Sequence, residues 1–432
     1  MTMKRREFLI NTMLLGAAGL AAPVPRIYGA VDGGYTGRLL ITLQIDGGWD
    51  VSSYCDPKVN QPGELAITNW SESNDIATAG NIAYAPFANN SEFFDKYYRD
   101  MLVINGIDAQ TNSHTTGVLH NWSGRNSVGY PTLTAMFAAL NAPDQPLSYV
   151  NFGGFAQTGN LIRFSRIDDV VALRELLNPA SNSWGNEGTQ RSPEDMSRIQ
   201  SYRQARINRK MASERLTPRQ LENLSAYDTA LRNRSSLEEF SNYLLAPEDY
   251  YDREEVNPEV SSDLRRQIQL TMSAFDAGVA SAADLFTSGY DTHTNHDALH
   301  EPLFTYQNNA IDMLWTLAAE YNLADRLTVI IASDFSRTPH YNADDGKDHW
   351  PIGSAIIMES SPSWGNRVVG ETDEAQNAYR INPNTLARDD SNGTIIYPKH
   401  VHKALRRYLG LENTAVDQNF RFNSTEDFGF FG

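Results

Sequence analysis

The stretch LTVIIASDFSRTPHYNADDGKDHWP, residues 327–351, combines two features that together decide the fold. Its first six residues are apolar and largely β-branched, which predicts a strand buried on both faces. Directly after this strand come an acid, Asp334, a base, Arg337, and a loop that ends in the pair Asp348-His349. Such polar groups at the end of a buried strand are typical of an α/β sheet, in which ligands bind beyond the carboxyl ends of the strands.

Similar apolar runs recur along the chain and alternate with stretches in which apolar residues repeat at helical spacing. Strands that alternate with helices predict an α/β fold, with a largely parallel central sheet between helices. The predicted strands cover residues 37–45, 100–107, 147–154, 326–335 and 354–360. The predicted helices cover residues 130–142, 261–288, 303–324 and 398–411.

One region departs from this alternation. Residues 185–250 are polar, charged and helical in pattern, and few of them suit a buried strand. We interpret the region as a helical insertion within a single main domain, residues 31–432. The length of the chain would allow two or three domains, but large α/β units reach this size when they carry insertions.

The N-terminal residues 1–30 have the pattern of an export signal. The pair Arg5-Arg6 precedes Phe8-Leu9 and a short apolar stretch rich in alanine and glycine, which is typical of a twin-arginine signal peptide. The apolar stretch is too short to favour a membrane-spanning helix, and the alternative interpretation is an amphipathic N-terminal helix. We expect a mature protein that is periplasmic or extracellular and is exported by the twin-arginine route.

The charge and the cysteine content exclude several classes of protein. The chain carries 36 basic and 53 acidic side chains, a net charge of −17, whereas a nucleic-acid binder would show basic patches. Its single cysteine, Cys55, excludes an internal disulfide and a zinc site built from cysteines. No stretch of residues 31–432 has the pattern of a membrane-spanning helix. We therefore expect no nucleic-acid partner and no spanning membrane segment.

Polar side chains gather in four segments, most of which follow the end of a predicted strand or helix. The segments are QIDGGWD (44–50), NSHTTG (112–117), YDTHTNH (290–296) and the loop 333–351. Because the carboxyl ends of parallel strands meet at one edge of a sheet, we expect the four segments to converge there. Their carboxylate and imidazole groups are common ligands of zinc, and of manganese or iron when more oxygen ligands are present.

Each acidic candidate also has a simpler explanation. Asp46 and the two glycines after it are a common strand-to-loop turn. Asp291 and His293 lie on one side of an extended segment, but this pair alone is a weak metal signature. Asp334 repeats the position of Asp46 at the exit of a buried strand. The repetition of such groups at strand exits, more than any one of them, indicates a metal site.

The end of the loop 333–351 offers two further candidates. Asp348 is placed to orient the imidazole of His349, as carboxylates do for metal-bound histidines, or to form an ion pair within the loop. Arg337 suits two-point binding of a phosphate or sulfate group. An ion pair between Arg337 and one of the loop acids Asp344, Asp345 or Asp348 explains this arginine equally well.

The segment NSHTTG places Ser113 and Thr115 at the predicted start of a helix. A hydroxyl at this position usually caps the helix. The free backbone N–H groups of a helix start also bind anions, and a metal ion can activate a hydroxyl as a nucleophile by lowering its pKa. Both interpretations stay open for either residue.

Taken in order, these motifs resemble an exported bacterial family named domain of unknown function 1501. The matching motifs are the twin-arginine signal, the first strand with its Gly-Gly-x-Asp, DPK (56–58), the Asn-Ser-His segment, YDTH (290–293) and SDFSRTP…DHWP (333–351). The resemblance extends over residues 38–160 and 262–412 and leaves out the insertion. It implies a fold of the alkaline phosphatase and sulfatase superfamily, with a di-metal site at the strand ends.

The resemblance also implies roles for individual residues. The implied metal ligands are Asp46, Asp291, Asp334, His349 and either His293 or His296. Ser113 or Thr115 would be the nucleophile, and Arg337 would steady the anion. The superfamily has a histidine directly after the acid at 334, where this sequence has Phe335, so one of the two metal subsites lacks a ligand.

These expectations define the predicted function, an exported metal-dependent hydrolase of phosphate or sulfate esters that acts on a small anionic ester. Zinc is the first choice among the divalent metals, with manganese, iron and calcium as alternatives. The missing imidazole and the long polar insertion favour an alternative function. In that alternative the protein is a non-catalytic component on the same fold, which binds or assembles with an exported protein partner.

Overall fold

The computed structural model describes residues 33–60, 70, 75–167, 169–177, 192–212 and 216–432. The predicted signal peptide, residues 1–30, and parts of the predicted insertion lie outside these ranges. Within the described part of the chain, no helix is both long and apolar enough to cross a membrane.

Strands and helices alternate along the described chain. The strands are β1 (Leu39–Ile45), β2 (Ala77–Ala79), β3 (Ile82–Tyr84), β4 (Met101–Asp108), β5 (Tyr149–Asn151), β6 (Ser165–Arg166), β7 (Glu254–Asn257), β8 (Val260–Ser262), β9 (Ala282–Thr287), β10 (Leu327–Ser333), β11 (Ser336–Arg337), β12 (His349–Trp350), β13 (Ile352–Met358) and β14 (Arg367–Val369). The helices are α1 (Asn90–Tyr97), α2 (His114–Ser123), α3 (Leu133–Asn141), α4 (Val170–Leu177), α5 (Pro193–Met211), α6 (Pro218–Arg232), α7 (Arg234–Phe240), α8 (Leu264–Asp276), α9 (His296–Glu320) and α10 (Pro398–Tyr408).

The central sheet has the strand order β14-β4-β13-β10-β1-β9-β5-β6. β1 runs parallel to its neighbours β9 and β10, and only β13 runs antiparallel to the strands on both of its sides. The remaining strands of this sheet share the direction of β1. The predicted fold class, α/β with a largely parallel central sheet between helices, is therefore confirmed.

Both faces of the sheet are buried, which explains the nearly continuous apolar runs of its strands. Leu39, Ile41, Leu43 and Ile45 of β1 point into one hydrophobic core, and Leu40 points into the other. Parallel sheets with helices on both faces need apolar side chains at successive positions because neither face contacts water.

The prediction of one long helix over residues 261–288 is wrong. The helix α8 ends at Asp276, Gly278 adopts a left-handed φ of 71°, and the chain continues as the buried strand β9. β9 lies between β1 and β5 in the sheet. Its sequence, AADLFT, is short and rich in alanine, so hydrophobic spacing alone did not separate a buried strand from a buried helix.

The described part of residues 185–250 contains the helices α5, α6 and α7. Ser192 and Thr217 cap α5 and α6 with their side chains, and each helix begins with a proline. Pro is favoured at the first helical position because its missing N–H has no partner there in any case. Phe240, at the end of α7, is fully buried in the main hydrophobic core, so the helices are anchored to the sheet domain.

Three parallel strands end side by side and determine where the site lies. Ile45 at the end of β1 pairs with Ser333 at the end of β10 and with Thr287 near the end of β9. The segments that follow these strands therefore leave the sheet at the same edge. Asp46 and Asp334 each come one residue after this row, and Asp291 follows a few residues after β9.

Candidate functional site

Asp334 lies buried at the exit of β10 with both carboxylate oxygens hydrogen-bonded. Its Oδ1 accepts from the Gly48 N–H at 2.7 Å and from the Ser333 hydroxyl at 2.8 Å. Asp46 lies nearby at the exit of β1 and is half-buried. Burial, together with the negative charge of Asp334, raises the pKa of Asp46. The two predicted acids are thus brought together, and each feels the charge of the other.

The turn after β1 requires glycine. Gly47 has a φ of 110°, and a Cβ on it would lie 2.6 Å from the backbone nitrogen of Asp291. Any other residue would strain the backbone and push the segment after β9 away. The Gly47-Gly48 pair therefore permits the exits of β1 and β9 to lie in contact.

Helix α2 is docked against the exit of β10. A Cβ on Gly117 would lie 2.6 Å from the carbonyl oxygen of Asp334, so the helix approaches this strand exit as closely as its backbone allows. One turn later, Asn121 donates to the carbonyl oxygens of Ser333 and Asp334 at 2.9 and 2.5 Å. His114 lies three residues before Gly117 on the same helix face, so the docking places its ring beside Asp334.

His114 is the site residue that the sequence analysis missed. Its Nδ1 lies 2.5 Å from Oδ2 of Asp334, and its ring packs on Phe335 with the ring centroids 4.7 Å apart. The hydrogen bond to Asp334 raises the pKa of His114. The superfamily resemblance implies an imidazole directly after Asp334, where this sequence has Phe335. Helix α2 supplies an imidazole beside Asp334 from another part of the chain.

Three imidazoles at the site are held in the same tautomer by oxygen acceptors. Nδ1 of His114 faces the carboxylate of Asp334, and Nδ1 of His349 lies 2.7 Å from the carbonyl oxygen of Asn112. Nδ1 of His293 lies 3.1 Å from Oδ1 of Asp348. Because these oxygens accept hydrogen bonds, each Nδ1 carries the proton and each Nε2 presents a lone pair.

The three Nε2 atoms converge on one small region beside Asp291. Nε2 of His349 lies 3.2 Å from Nε2 of His114, 3.0 Å from Nε2 of His293 and 3.1 Å from Oδ1 of Asp291. Nε2 of His114 lies 3.4 Å from Oδ2 of Asp291. Lone pairs and a carboxylate that face each other at these distances repel, unless a cation or additional protons lie between them.

This donor set fits a divalent metal ion. One ligand atom each from His114, Asp291 and His349 lie within 4.8 Å of one another, and His293 extends the group on the side of Asp291. Imidazole nitrogens with carboxylate oxygens are the ligands that zinc and similar first-row metals prefer. The oxygen partners on each Nδ1 are the supporting contacts that orient metal-bound histidines.

Arg337 is fully buried, and its nitrogens all donate to protein acceptors. Its Nε donates to the Gly48 carbonyl at 3.0 Å and its Nη1 to the Lys347 carbonyl at 3.1 Å. Its Nη2 donates to the Gly47 carbonyl and pairs with Asp291. Burial opposes the ionisation of Asp291, but the hydrogen bond and the charge of Arg337 outweigh it and lower the pKa of Asp291 to about 2. Arg337 thus keeps Asp291 ionised and fixed in place.

Six of the predicted site residues meet at one edge of the sheet, but Asp348, Ser113 and Thr115 do not make the contacts that were predicted for them. The side chains that meet there are Asp46, Asp291, His293, Asp334, Arg337 and His349. Asp348 orients His293 and not His349, whose Nδ1 bonds to Asn112. Ser113 and Thr115 flank His114 and are exposed. Within the described part of the chain, neither hydroxyl contacts this group, so their role as nucleophile stays a prediction.

A second polar group lies directly beside the first and is entirely buried. Nζ of Lys347 donates to Oδ2 of Asp50 at 2.7 Å and to the Ser52 hydroxyl at 3.0 Å. Oδ1 of Asp50 accepts from the Ser52 hydroxyl at 2.6 Å. All three side chains are buried. Lys347 and His296 outweigh the effect of burial and lower the pKa of Asp50 well below its usual range.

His296, the alternative metal ligand, belongs to this buried group. Its Nε2 lies 3.1 Å from Oδ2 of Asp50, and its Nδ1 lies 2.7 Å from the Thr292 hydroxyl, which also contacts Nδ1 of His300 at 3.1 Å. Nε2 of His300 accepts from the Asp50 N–H at 3.1 Å. Burial lowers the pKa of both histidines, so both are neutral. His296 is thus committed to Asp50 and lies away from the three converging imidazoles.

Comparison with known families gives one match. The model of the family described as "Protein of unknown function (DUF1501)" matches residues 174–409, more than half of the chain. This range contains Asp291, His293, Asp334, Arg337 and His349. It spans the helical insertion, which the sequence analysis placed outside the resemblance, and it leaves out Asp46 and His114. No curated protein matches the sequence.

Solved structures with a similar architecture are distant in sequence. A protein in the alkaline phosphatase superfamily from Vibrio parahaemolyticus is 10% identical, covering 95% of this chain and 76% of that chain with a TM-score of 0.38. The PsFucS1 sulfatase from Pseudoalteromonas sp. is 11% identical, covering 87% and 68% with a TM-score of 0.35. The phosphonate monoester hydrolase of Agrobacterium radiobacter is 13% identical, covering 86% and 74% with a TM-score of 0.32. At these scores the likeness by itself assigns no activity to this chain.

Proposed function

The chain belongs to the family of proteins of unknown function DUF1501, and we propose that it is an exported metal-dependent hydrolase of phosphate or sulfate esters. The proposal places the chain in the alkaline phosphatase and sulfatase superfamily. The twin-arginine pattern of residues 1–30 supports export to the periplasm or beyond. The proposed substrate is a small anionic ester, which a cationic centre at the edge of the sheet would attract.

One observation carries the proposal: three imidazoles that are oriented through Nδ1 present their Nε2 lone pairs to the same carboxylate. A hydrogen-bonded group of neutral histidines would pair an N–H with a lone pair, as His296 and Asp50 do. Here His114, His293 and His349 have each committed their N–H elsewhere. Nη1 of Arg337 lies 3.5 Å from Nε2 of His293. The remaining lone pairs need a cation or extra protons, and a divalent metal supplies the cation at neutral pH.

The proposed metal ligands are His114, Asp291, His293 and His349. Asp46 lies close enough to interact electrostatically with His114 and Asp291. Zinc is the first choice because three nitrogen ligands suit it best, and manganese, iron or calcium would draw more on the oxygens. We retain Asp334 as a predicted ligand, although its contacts here serve to orient His114. A bound divalent ion would supply Lewis-acid stabilisation of the ester oxygens and lower the pKa of a nearby hydroxyl.

The chain's own residues would bind, orient and attack the ester. Ser113 or Thr115, on either side of His114, is the proposed nucleophile. Its oxygen would bond to phosphorus or sulfur as the bond to the leaving oxygen breaks, and the proton of the hydroxyl would pass to the departing alcohol. Water would then cleave the ester formed on the protein, which releases phosphate or sulfate and restores the hydroxyl. His114 is also the first residue of α2, and the free backbone N–H groups of a helix start favour an anion. Arg337 would act chiefly by fixing Asp291, since its nitrogens already donate to the protein.

A second function, a non-catalytic exported binding protein on the same fold, is favoured by one observation. Among the residues that the structure describes, the side chains of Ser113 and Thr115 make no contact with the metal cluster, although both are exposed beside it. A protein that lacks a positioned nucleophile would still bind a metal and an anionic ligand. The two functions therefore differ in turnover and agree in metal binding.

Hydrolysis of p-nitrophenyl phosphate and p-nitrophenyl sulfate by the mature protein tests the proposal, with zinc, manganese, iron and calcium each supplied in turn. We expect turnover with at least one ion, and a loss of about 100-fold or more in His349→Ala. The matched control is His340→Ala, because His340 is an exposed imidazole of the same loop outside the cluster. Ser113→Ala and Thr115→Ala identify the nucleophile. Metal binding without turnover on either ester would leave the binding protein as the function.

A further inference from the structure

Helix α5 carries an unusual charge for this chain. Residues 198–212 contain five basic and no acidic side chains, although acidic side chains outnumber basic ones by 53 to 36 in the whole sequence. The five are Arg198, Arg203, Arg206, Arg209 and Lys210. The strongly negative net charge of the chain hides this local concentration of positive charge.

The first turn of α5 carries two acids, Glu194 and Asp195. Beyond that turn, the basic residues occupy one side of the helix. At about 100° per residue, Arg198, Arg209, Tyr202, Arg206, Lys210 and Arg203 follow one another within an arc of about 140°. Ile207, which points away from the middle of this arc, is only 3% exposed and anchors the helix to the protein. We call these six residues the basic face of α5.

The basic face is open to solvent. All six of its residues are exposed, and the ring of Tyr202 is 77% exposed. Among the residues that the structure describes, none of the five cations makes an ion pair. Asp228 of the neighbouring helix α6 faces Gln204, from which it accepts a hydrogen bond at 2.8 Å. Within the described part of the chain, the five cations therefore have no carboxylate partner on the helix packed against them.

We propose that the basic face of α5 binds a polysaccharide that carries sulfate or phosphate groups. Four arginines with planar guanidinium groups suit the two-point binding of sulfate and phosphate. From Arg198 to Arg209 the helix rises about 16 Å, enough to contact several anionic groups along one polymer. Tyr202 lies between the arginines and offers a flat apolar ring with a polar tip, which suits the face of a sugar ring.

Other polyanions fit this face less well. A membrane-binding helix inserts an apolar side into the lipid, but here the apolar side of α5 is turned into the protein through Ile207. The acidic surface of a second copy of the chain would attract the basic face, but it offers no sugar face to Tyr202.

This binding site does not depend on the proposed hydrolase. The basic face lies on the helical insertion, and no hydrogen bond or ion pair among the described residues joins it to the histidine cluster. A polymer held there would be retained by the protein whether or not the metal centre turns it over.

Binding of a size-defined heparin fragment to the mature protein, measured by calorimetry at low ionic strength, tests the proposal. The test variant combines Arg198→Gln, Arg206→Gln and Arg209→Gln. We expect it to bind heparin about ten-fold more weakly or worse, because it loses three charged contacts. The matched control combines Arg99→Gln, Arg163→Gln and Arg253→Gln, which remove the same charge from exposed sites elsewhere. This control should bind as the wild type does.

Further comparisons separate the possible ligands. Tyr202→Ala should weaken heparin binding and leave binding of linear polyphosphate unchanged, because only the sugar polymer uses the ring. His349→Ala should bind heparin normally, so a failed hydrolase leaves this result intact. Equal loss in the test and control variants would overturn the proposal. So would tighter binding to phosphatidylserine vesicles or to a DNA duplex than to heparin, or self-association that the test variant abolishes in the absence of heparin binding.

Discussion

The two polar groups beside the sheet edge contain the same kinds of side chain, but they differ in whether protein atoms supply all of their charge and hydrogen-bond partners. Both draw acids and histidines from the segments after β1, β9 and β10. In the buried group, Lys347 supplies a positive charge to Asp50, and His296 donates a hydrogen bond to the same carboxylate. In the exposed group, three imidazole lone pairs converge beside Asp291.

The difference indicates which of the two groups holds the fold and which holds a ligand. A buried charge is tolerated when it is paired and hydrogen-bonded, and the group around Asp50 meets that condition with protein atoms alone. The group around Asp291 does not, although Arg337 neutralises one side of the carboxylate. We therefore expect substitutions in the buried group to reduce stability, and substitutions in the exposed group to reduce metal binding.

The largest expected effect is that of Lys347→Met, which leaves the Asp50 carboxylate buried without its ammonium partner. We expect the free energy of unfolding to fall by about 3–5 kcal/mol, because an uncompensated buried charge is strongly unfavourable. Urea denaturation of the metal-free protein measures this loss. A change below about 1 kcal/mol is typical of exposed ion pairs. Such a small change would show that the buried group does not stabilise the fold, which contradicts the distinction between the two groups.

Metal binding should stabilise the protein through the exposed group. At a free zinc concentration of about 100 times the dissociation constant, the free energy of unfolding should rise by about 2.7 kcal/mol, since the ion binds the folded chain. His349→Ala should lose this gain and His340→Ala should keep it. Denaturation with and without a chelator gives both values, and equal stabilisation of the two variants would place the metal elsewhere.

Acid should destabilise the buried group. Burial lowers the pKa of His300 well below its usual range and also that of His296, so the unfolded chain binds protons that the folded chain does not. Stability contributed in this way is complete above the unfolded pKa of about 6.5 and is lost as the pH falls below it. The buried residues His120, His400 and His402 add to the same trend.

The effect of His300 is isolated by comparing slopes. For His300→Gln, the dependence of the unfolding free energy on pH between 7 and 5 should be shallower than in the wild type by up to about 1.4 kcal/mol per pH unit. Both proteins are measured with chelator, so that metal release does not contribute. Parallel slopes would mean that His300 takes up its proton without unfolding.

The smallest expected effect is that of His293→Ala on the metal-free protein. His293 is partly exposed, and among the described residues its ring nitrogens contact Asp348, Asp291, His349 and Arg337 alone. Its loss should change the free energy of unfolding by no more than about 0.5 kcal/mol, as at other exposed positions. A loss as large as that of Lys347→Met, measured in the same urea experiment, would show that the exposed group also holds the fold.

Much of the fold follows from local sequence patterns. The runs that became β1, β4, β10 and β13 are apolar at successive positions, because both faces of the sheet are buried. The short strand β9 was not recognised because its alanines suit a helix equally well. Its place between β1 and β5 depends on contacts with distant strands, which no local pattern records.

The sequence predicted those site residues that come directly after the end of a buried strand. Asp46 and Asp334 come directly after buried strands, so the sheet itself brings them together. His114 does not follow this rule, because its position depends on how closely Gly117 lets α2 approach the exit of β10. The partner of Asp348 was assigned from sequence proximity to His349, whereas the fold places His293 closer to its oxygen.

The metal content of the purified mature protein, measured by plasma mass spectrometry, tests the central claim most directly. The wild type should carry about one divalent ion per chain or more, zinc foremost. His114→Ala should lose it, because the ligand supplied by α2 is gone, and His340→Ala should retain it. A folded His114→Ala protein that keeps the full metal content, or a wild type that holds no metal after exposure to zinc, would contradict the account.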